Sequence, residues 1–305
     1  MGALNVELAT RERTASTWRR TSLAYLSLTK PRIISLLLIT TIPAMILAEE
    51  GWPSAWLMLA TVVGGSLAAG GANAINCYID RDIDALMERT ANRPLPRGLI
   101  EPLHALIFAL VLEVLAFALI AATSNLLAAT LAVSATAFYV VVYTIWLKRT
   151  TRQNIVIGGA AGAVPPLVGW AAVTGEVALP AIILFAIVFV WTPPHFWALS
   201  IKYREDYARA RVPMLPVVAT LDETKSQIFW YALALVPLSL TLVATGEVGW
   251  IYAVAATTLG AGFAGEAYRL RAEAGETHAM SVFRFSIYYL ALLFLAVAVD
   301  QLVLG

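Results

Sequence analysis

The chain has 305 residues, 60% of them hydrophobic and 13% charged, about half the charged share of an average soluble domain. That composition excludes an ordinary water-soluble fold. The formal net charge of +1 hides 21 Lys and Arg residues, whose placement along the chain carries more information than their sum.

A polar, basic segment, residues 1–24, opens the chain and is expected to be cytoplasmic and uncleaved, because the first apolar run is followed by further runs and not by a cleavage site. Apolar runs long enough to cross a bilayer then occupy 33–48, 56–75, 104–122, 126–147, 154–173, 178–199, 226–245, 249–266 and 285–304. The expected fold class is an all-α polytopic membrane protein with nine transmembrane helices. Its basic residues fall into clusters at Arg11 to Arg32, Arg81 to Arg97, Lys148 to Arg152, Lys202 to Lys225 and Arg269 to Arg284. With nine spans all five clusters share one side of the bilayer. The opposite loops hold Glu49, Glu50, Glu176 and Glu247, with Asp300 near the C-terminus. Basic loops mark the cytoplasmic side, so the N-terminus is expected inside, the C-terminus outside, and the chain in a prokaryotic cell membrane. The lipid bilayer is thus a partner; nucleic acid is not expected to be one. Cys77 is the single cysteine, which excludes an intrachain disulfide and a cysteine-based metal cluster.

Carboxylates beside a span are costly and point to function. After the second run, Asn76, Asp80 and Asp84 recur every four residues, a spacing that sets all three on one helical face. Neighbouring aspartates about 6 Å apart repel by about 3 kcal/mol at an effective dielectric near 20, which favours a cation between them. Carboxylate oxygens sharing a site with phosphate suit Mg²⁺. Arg89, Arg93 and Arg97 follow, and guanidinium groups offer paired donors to a polyphosphate. The plain alternative is that Asp80, Arg81, Asp82 and Asp84 solvate a helix end. A second polar loop follows the sixth run: Trp191 to Trp197 with Pro193 and Pro194, then Lys202, Tyr203, Arg204, Glu205, Asp206, Arg209 and Arg211. It reads as the other half of a metal and diphosphate clamp or as a salt-bridged helix end.

The Asn76, Asp80, Asp84 spacing at the end of the second of nine runs resembles the first aspartate-rich motif of the UbiA-type intramembrane prenyltransferases. Leu28 to Arg32, Arg89 to Pro96, Tyr143 to Arg149, Asn154 to Ala163, Trp191 to Trp197 and Val212 to Pro216 narrow the resemblance to the haem-farnesylating branch of that family, the haem O synthases. The resemblance implies a UbiA-like nine-helix bundle around a lipid-open cavity, with residues 25–305 as one intramembrane prenyltransferase domain. It implies Mg²⁺ as cofactor, farnesyl diphosphate and haem b as substrates, and a downstream haem-modifying enzyme or oxidase assembly factors as partners. Residue by residue, it makes Asn76, Asp80, Asp84 and Asp206 the catalytic metal ligands. Lys30, Arg32, Arg89, Arg93, Lys148 and Lys202 become candidates for the diphosphate. Two departures stand out. Asp206 is followed four residues later by Ala210, where relatives carry a second aspartate, so Glu205 or the phosphate would complete that shell. Arg211 stands where this branch leads one to expect glycine.

Tyr78, Tyr143, Tyr203, Phe196 and Trp197 offer π faces to an allylic cation, or simply pack. His195 is the candidate for haem, as an axial ligand or through a hydrogen bond or propionate contact, with a bend expected just before it at Pro193 and Pro194. Glu113, deep in the third run, is read as a packing residue. Gly64, Gly65, Gly70, Gly71, Gly158 and Gly159 are read as allowing close helix approach. A quinone-precursor acceptor is the alternative enzyme reading. A transporter is the alternative class, disfavoured because the acids gather at one interface without a half-chain repeat.

Overall fold

A computed structural model describes residues 19–305, apart from the side chains of Ile33 and Leu37. Residues 1–18, most of the expected polar segment and including Arg11 and Arg13, lie outside the described residues. The described residues form helices joined by loops and hold no strand. Its rods are α1 (Arg19–Thr29), α2 (Pro31–Ala48), α3 (Ala55–Ile79), α4 (Pro102–Thr123) and α5 (Leu126–Thr150). There follow α6 (Asn154–Thr174), which changes segment at Val164, α7 (Leu179–Lys202), the short α8 (Arg204–Arg209), α9 (Leu221–Leu240), α10 (Trp250–Ala272) and α11 (Ala279–Leu304).

Local chemistry sets the helix starts. Proline occupies the first helical position of α2 and α4, where its missing N–H costs nothing. The Asn125 side chain accepts from Ala128 N–H at α5, and Thr220 accepts from Glu223 N–H at α9, each satisfying a first-turn donor. At α10 the cap comes from another helix. Asp300 of α11 is 1% exposed, and its two oxygens accept from Gly249 N–H at 2.5 Å and Tyr252 N–H at 2.8 Å, placing a carboxylate at the positive end of the α10 dipole. Asp300 is therefore built into the bundle.

Each predicted apolar run is helical, and the rods touch in chain order, from α2 through α7 to α9, α10 and α11, with α11 closing the ring against α2. The span count needs correction. Among the described residues seven helices are long and apolar enough to cross a membrane alone, or eight if α1 and α2, bent by 45°, are one span. Helix α10 falls short because its 23 residues are rich in Gly and Thr and end on Glu266, Arg269 and Arg271. Outward-facing Leu103, Val114, Trp56 and Trp230 are more than half exposed, as a lipid-facing surface requires. Small residues set the closest approaches: a Cβ on Gly71 would lie 2.5 Å from Glu113 Oε1, and one on Gly158 would run into the Tyr143 ring.

Two backbone departures lie beside the acidic loops. Residues Phe138–Leu147 of α5 form a π-helix, a widened winding frequently found at functional sites; here it turns Thr144 toward α3. Arg211 has φ +53°, a left-handed conformation that a side chain resists and glycine accepts. This accounts for the glycine expected there. Arg211 is exposed, so Arg211→Gly should raise stability by about 0.5–1 kcal/mol, measured as a higher thermal midpoint of the purified protein. An unchanged or lower midpoint would contradict the strain.

Candidate active site

Helix α3 ends at Ile79, Asp80 caps it, and a single helical turn, Arg81–Asp84, continues the chain. The motif is therefore not one unbroken helix, but the helical hydrogen bonds persist: Asp80 N–H reaches Asn76 O and Asp84 N–H reaches Asp80 O. Asn76, Asp80 and Asp84 are all buried, at 3%, 0% and 1% exposure. Asp82 diverges. Its carboxylate is exposed and takes two 2.7 Å bonds from Arg149, which hold its pKa down at about 2.

The three buried polar groups are surrounded by cations from three other segments. Lys30 Nζ donates to Asn76 Oδ1 at 2.8 Å. Lys30 sits in a left-handed conformation at the α1–α2 junction, where the following proline disfavours the right-handed helical region. Asn76 Nδ2 donates to Asp80 Oδ2 at 2.7 Å and to Thr144 Oγ1 at 3.2 Å. Lys148, from the last turns of α5, pairs with the same Asp80 Oδ2. Arg93 Nη1 reaches both oxygens of Asp84, at 2.8 and 2.7 Å. The repulsion expected between Asp80 and Asp84 is thus offset by protein ammonium and guanidinium groups.

Asp80 Oδ1 is the exception. It is buried without a hydrogen bond, with Arg149 Nη2 at 3.5 Å. Among the described residues no three His, Cys, Asp or Glu side chains group closely enough to hold an ion unaided. An incomplete set of hard oxygen donors, one of them orphaned, fits Mg²⁺, whose shell is commonly finished by water and substrate phosphate.

Asp206, expected in the second half of the clamp, does not form one group of three carboxylates with Asp80 and Asp84 among the described residues. Asp206, 6% exposed, instead clips the two loops together. Its Oδ1 accepts from Glu88 N–H at 3.2 Å and its Oδ2 from Arg89 N–H at 3.3 Å, and Arg209 pairs with Oδ1. Burial pushes its pKa up, but Arg209 and the two N–H donors outweigh it and hold the carboxyl below the ordinary aspartate value. Arg89 lies over the rings of Tyr203, at 5.3 Å, and Tyr207, at 6.0 Å. Lys202 is exposed and lies 5.6 Å from the Tyr203 centroid. Glu205 and Arg32 are exposed and take no part in this network among the described residues.

The aromatic candidates separate. Tyr143 stacks on Tyr139 at 5.4 Å in the π-helical stretch. Trp197 turns to Tyr231 of α9, and Tyr78 lies under Arg81. His195 is buried on α7, which runs as continuous helix through Pro193 and Pro194; its partners are on α7 itself and on α11, not in the acidic loops. Glu113 accepts from Thr136 Oγ1 at 3.1 Å across α4 and α5.

Four residues absent from the expected site belong to its surroundings. Thr144 and Arg149 hold Asn76, Asp80 and Asp82, and both stand inside the Tyr143 to Arg149 stretch that carried the resemblance. Asn154, fully buried, has an Oδ1 without a hydrogen bond and opens another such stretch. Ser286 bonds His195 and had no signal in the sequence.

Comparison with known proteins shows the family and the fold. The model of the UbiA prenyltransferase family matches residues 37–297. The chain is 57% identical over 281 residues to a protoheme IX farnesyltransferase of Gloeobacter violaceus, covering 92% of each. It is 54% identical to protoheme IX farnesyltransferase 1 of Saccharopolyspora erythraea, covering 92% of this chain and 90% of that one. Among solved structures, a digeranylgeranylglyceryl phosphate synthase superposes with a TM-score of 0.76 at 20% identity, covering 92% of this chain and 98% of that one. A UbiA homologue from Archaeoglobus fulgidus bound to DMAPP and Mg²⁺ superposes with a TM-score of 0.67 at 15% identity, covering 90% and 99%.

Proposed function

The chain belongs to the UbiA prenyltransferase family and is an integral membrane prenyltransferase; from that premise we propose that it transfers the farnesyl group of farnesyl diphosphate to a vinyl group of haem b. The observation that carries this reading is the 57% identity to a protoheme IX farnesyltransferase along 92% of both chains. The likeness to a homologue that binds a prenyl diphosphate and Mg²⁺ supports the same donor chemistry.

The residues present supply that chemistry as follows. Lys30, Arg93 and Lys148, already converging on Asn76, Asp84 and Asp80, bind diphosphate oxygens by charge-assisted hydrogen bonds. Arg89, held over two tyrosine rings, supports the same anion from the clipped loop. Asp80 and Asp84, with Asn76, would hold Mg²⁺, which supplies neutralisation of the charge that develops on the leaving diphosphate. The C1–O bond of the donor breaks, diphosphate departs, and C1 bonds to the terminal vinyl carbon. The cation left on the inner vinyl carbon is captured by water, which gives up a proton and leaves a hydroxyethylfarnesyl group. Tyr139 and Tyr143 line this region with stacked rings able to shield an allylic cation. The product, a more hydrophobic haem, suits a later haem-modifying step in the same membrane. The basic end of the bundle, with both acidic loops, faces the cytoplasm, and residues 25–305 act as one domain.

The test is incubation of the purified protein with haem b, farnesyl diphosphate and Mg²⁺, followed by mass spectrometry. The expected product carries one farnesyl group and one water. No mass gain on haem, with transfer to an aromatic quinone precursor in a parallel reaction, would replace the haem acceptor by the other.

A further inference from the structure

His195 precedes Lys202 by seven residues on α7, which sets it about 10 Å into the span from the basic end. Its ring is enclosed on both faces: Trp191 stacks at 4.2 Å with an interplanar angle of 22°, and Phe283 of α11 at 4.6 Å and 30°. Phe196 meets it edge-on at 5.2 Å. The Nδ1 edge faces Ser286 Oγ at 2.7 Å. The Ser286 hydroxyl proton is already committed, since Oγ donates to Phe283 O at 2.7 Å. The serine oxygen therefore has only lone pairs left for the histidine, and Nδ1 must carry the hydrogen. In this arrangement a neutral imidazole, with its one N–H at Nδ1, keeps an unshared pair on Nε2. Nε2 makes no hydrogen bond among the described residues, and His195 retains 7% exposure.

Burying a polar nitrogen in an apolar cage is costly without a partner, and Trp191 reinforces the arrangement through a 2.7 Å bond from Nε1 to Ser286 O. Both aromatic side chains of one α7 turn are thus fastened to the same residue of α11. A histidine oriented by a hydrogen bond at one nitrogen, with the other free, is the usual form of a metal-ligating imidazole.

We propose that Ser286 is a positioning residue that locks His195 as the Nδ1–H tautomer and presents Nε2 to the iron of the haem substrate. This rests on the haem-acceptor reading above. The chemistry it adds is retention of the flat acceptor by one axial bond, so that the tetrapyrrole is held inside the bilayer while the donor is held at the basic face.

Full-length protein in lipid nanodiscs, titrated with ferric haem b and followed by the Soret band and electron paramagnetic resonance, tests it. The wild-type protein should show the spectrum of an imidazole-ligated haem. Ser286→Ala should weaken haem affinity about tenfold and broaden that signature, whereas Ser286→Thr should retain both. His195→Gly should lose the signature and regain it with added imidazole, which also shows that the variant is folded. A wild-type spectrum in His195→Gly would overturn the proposal. So would Ser286→Ala with unchanged affinity and signature, or His195→Gly with weaker binding and an unaltered signature, the pattern of a propionate contact. Farnesylation of haem by a wild-type protein lacking the imidazole signature overturns this inference alone. Imidazole-ligated haem that is never farnesylated overturns the functional reading and leaves the ligand in place.

Discussion

Asp80→Ala and Asp84→Ala should each lower farnesyl transfer to haem by about 10³-fold, with the protein still inserted in the membrane at its normal level. Both carboxylates are almost completely buried, at 0% and 1% exposure, so loss of folding is the obvious competing outcome. Breaking a buried ion pair is severe when the remaining charge has nowhere to go. Here it has: Lys148 and Arg93 retain 12% and 26% side-chain exposure, and a released ammonium or guanidinium can turn to water at the basic face. Activity and stability should therefore separate. Asp82→Ala provides the comparison, because Asp82 is 60% exposed and engaged by Arg149 at the surface, an arrangement worth little. Its turnover should stay within about threefold of wild type. Turnover measured alongside membrane protein level decides the matter. Retained turnover in both buried variants would remove the proposed metal and diphosphate site, and an equal loss in Asp82→Ala would show that the helix end needs only its total charge.

Asp82 also marks the limit of what spacing can tell. Three aspartates at alternate positions look equivalent along the chain. Helical geometry placed Asp80 and Asp84 on the face of Asn76, and the structure does bury that face while leaving Asp82 outside. The apolar runs were legible for the same reason: burial in lipid leaves a one-dimensional signature in the sequence, and each run proved helical. Helix α10 showed where that signature weakens, because Gly, Thr and three charged residues dilute a helix that is held by its neighbours and by the distant Asp300. Contacts between segments leave no such one-dimensional signature. Nothing near Lys30 indicates that it will meet Asn76, 46 residues away, nor does Ser286 signal a bond to a histidine 91 residues earlier. Basic clusters beside spans set orientation in the membrane. Lys30, Arg93 and Lys148 do converge on the acidic motif, whereas Arg32, Lys202 and Glu205 remain at the surface.

Asp206 joins the two loops through its backbone N–H contacts, and its substitution should show what that joint does. Both of its oxygens accept backbone N–H bonds from Glu88 and Arg89, with Arg209 added to one. Asp206→Ala should therefore act by releasing the loop that carries Arg89 and Arg93. Glu88 and Arg89 are exposed, so their freed N–H groups can bond to water and the thermal midpoint should change little. Positioning is what suffers: a small misplacement of diphosphate-binding groups can cost about 100-fold in rate, expressed as a higher KM for farnesyl diphosphate together with a lower kcat. Asp206→Asn keeps one carbonyl oxygen for one of the two N–H donors and should lose less. The dependence on pH follows from the direction of the carboxyl shift. Because the folded carboxyl is held below the ordinary aspartate value, the clip contributes fully above that value, about 4, and weakens only as pH falls through the lowered one. At neutral pH it is closed. Hydrogen exchange at the Glu88 and Arg89 amides supplies the deciding readout, since a metal ligand would not protect them. Faster exchange in Asp206→Ala together with the raised KM is the expected result; lost turnover with unchanged exchange at both amides would return Asp206 to the role of a direct ligand.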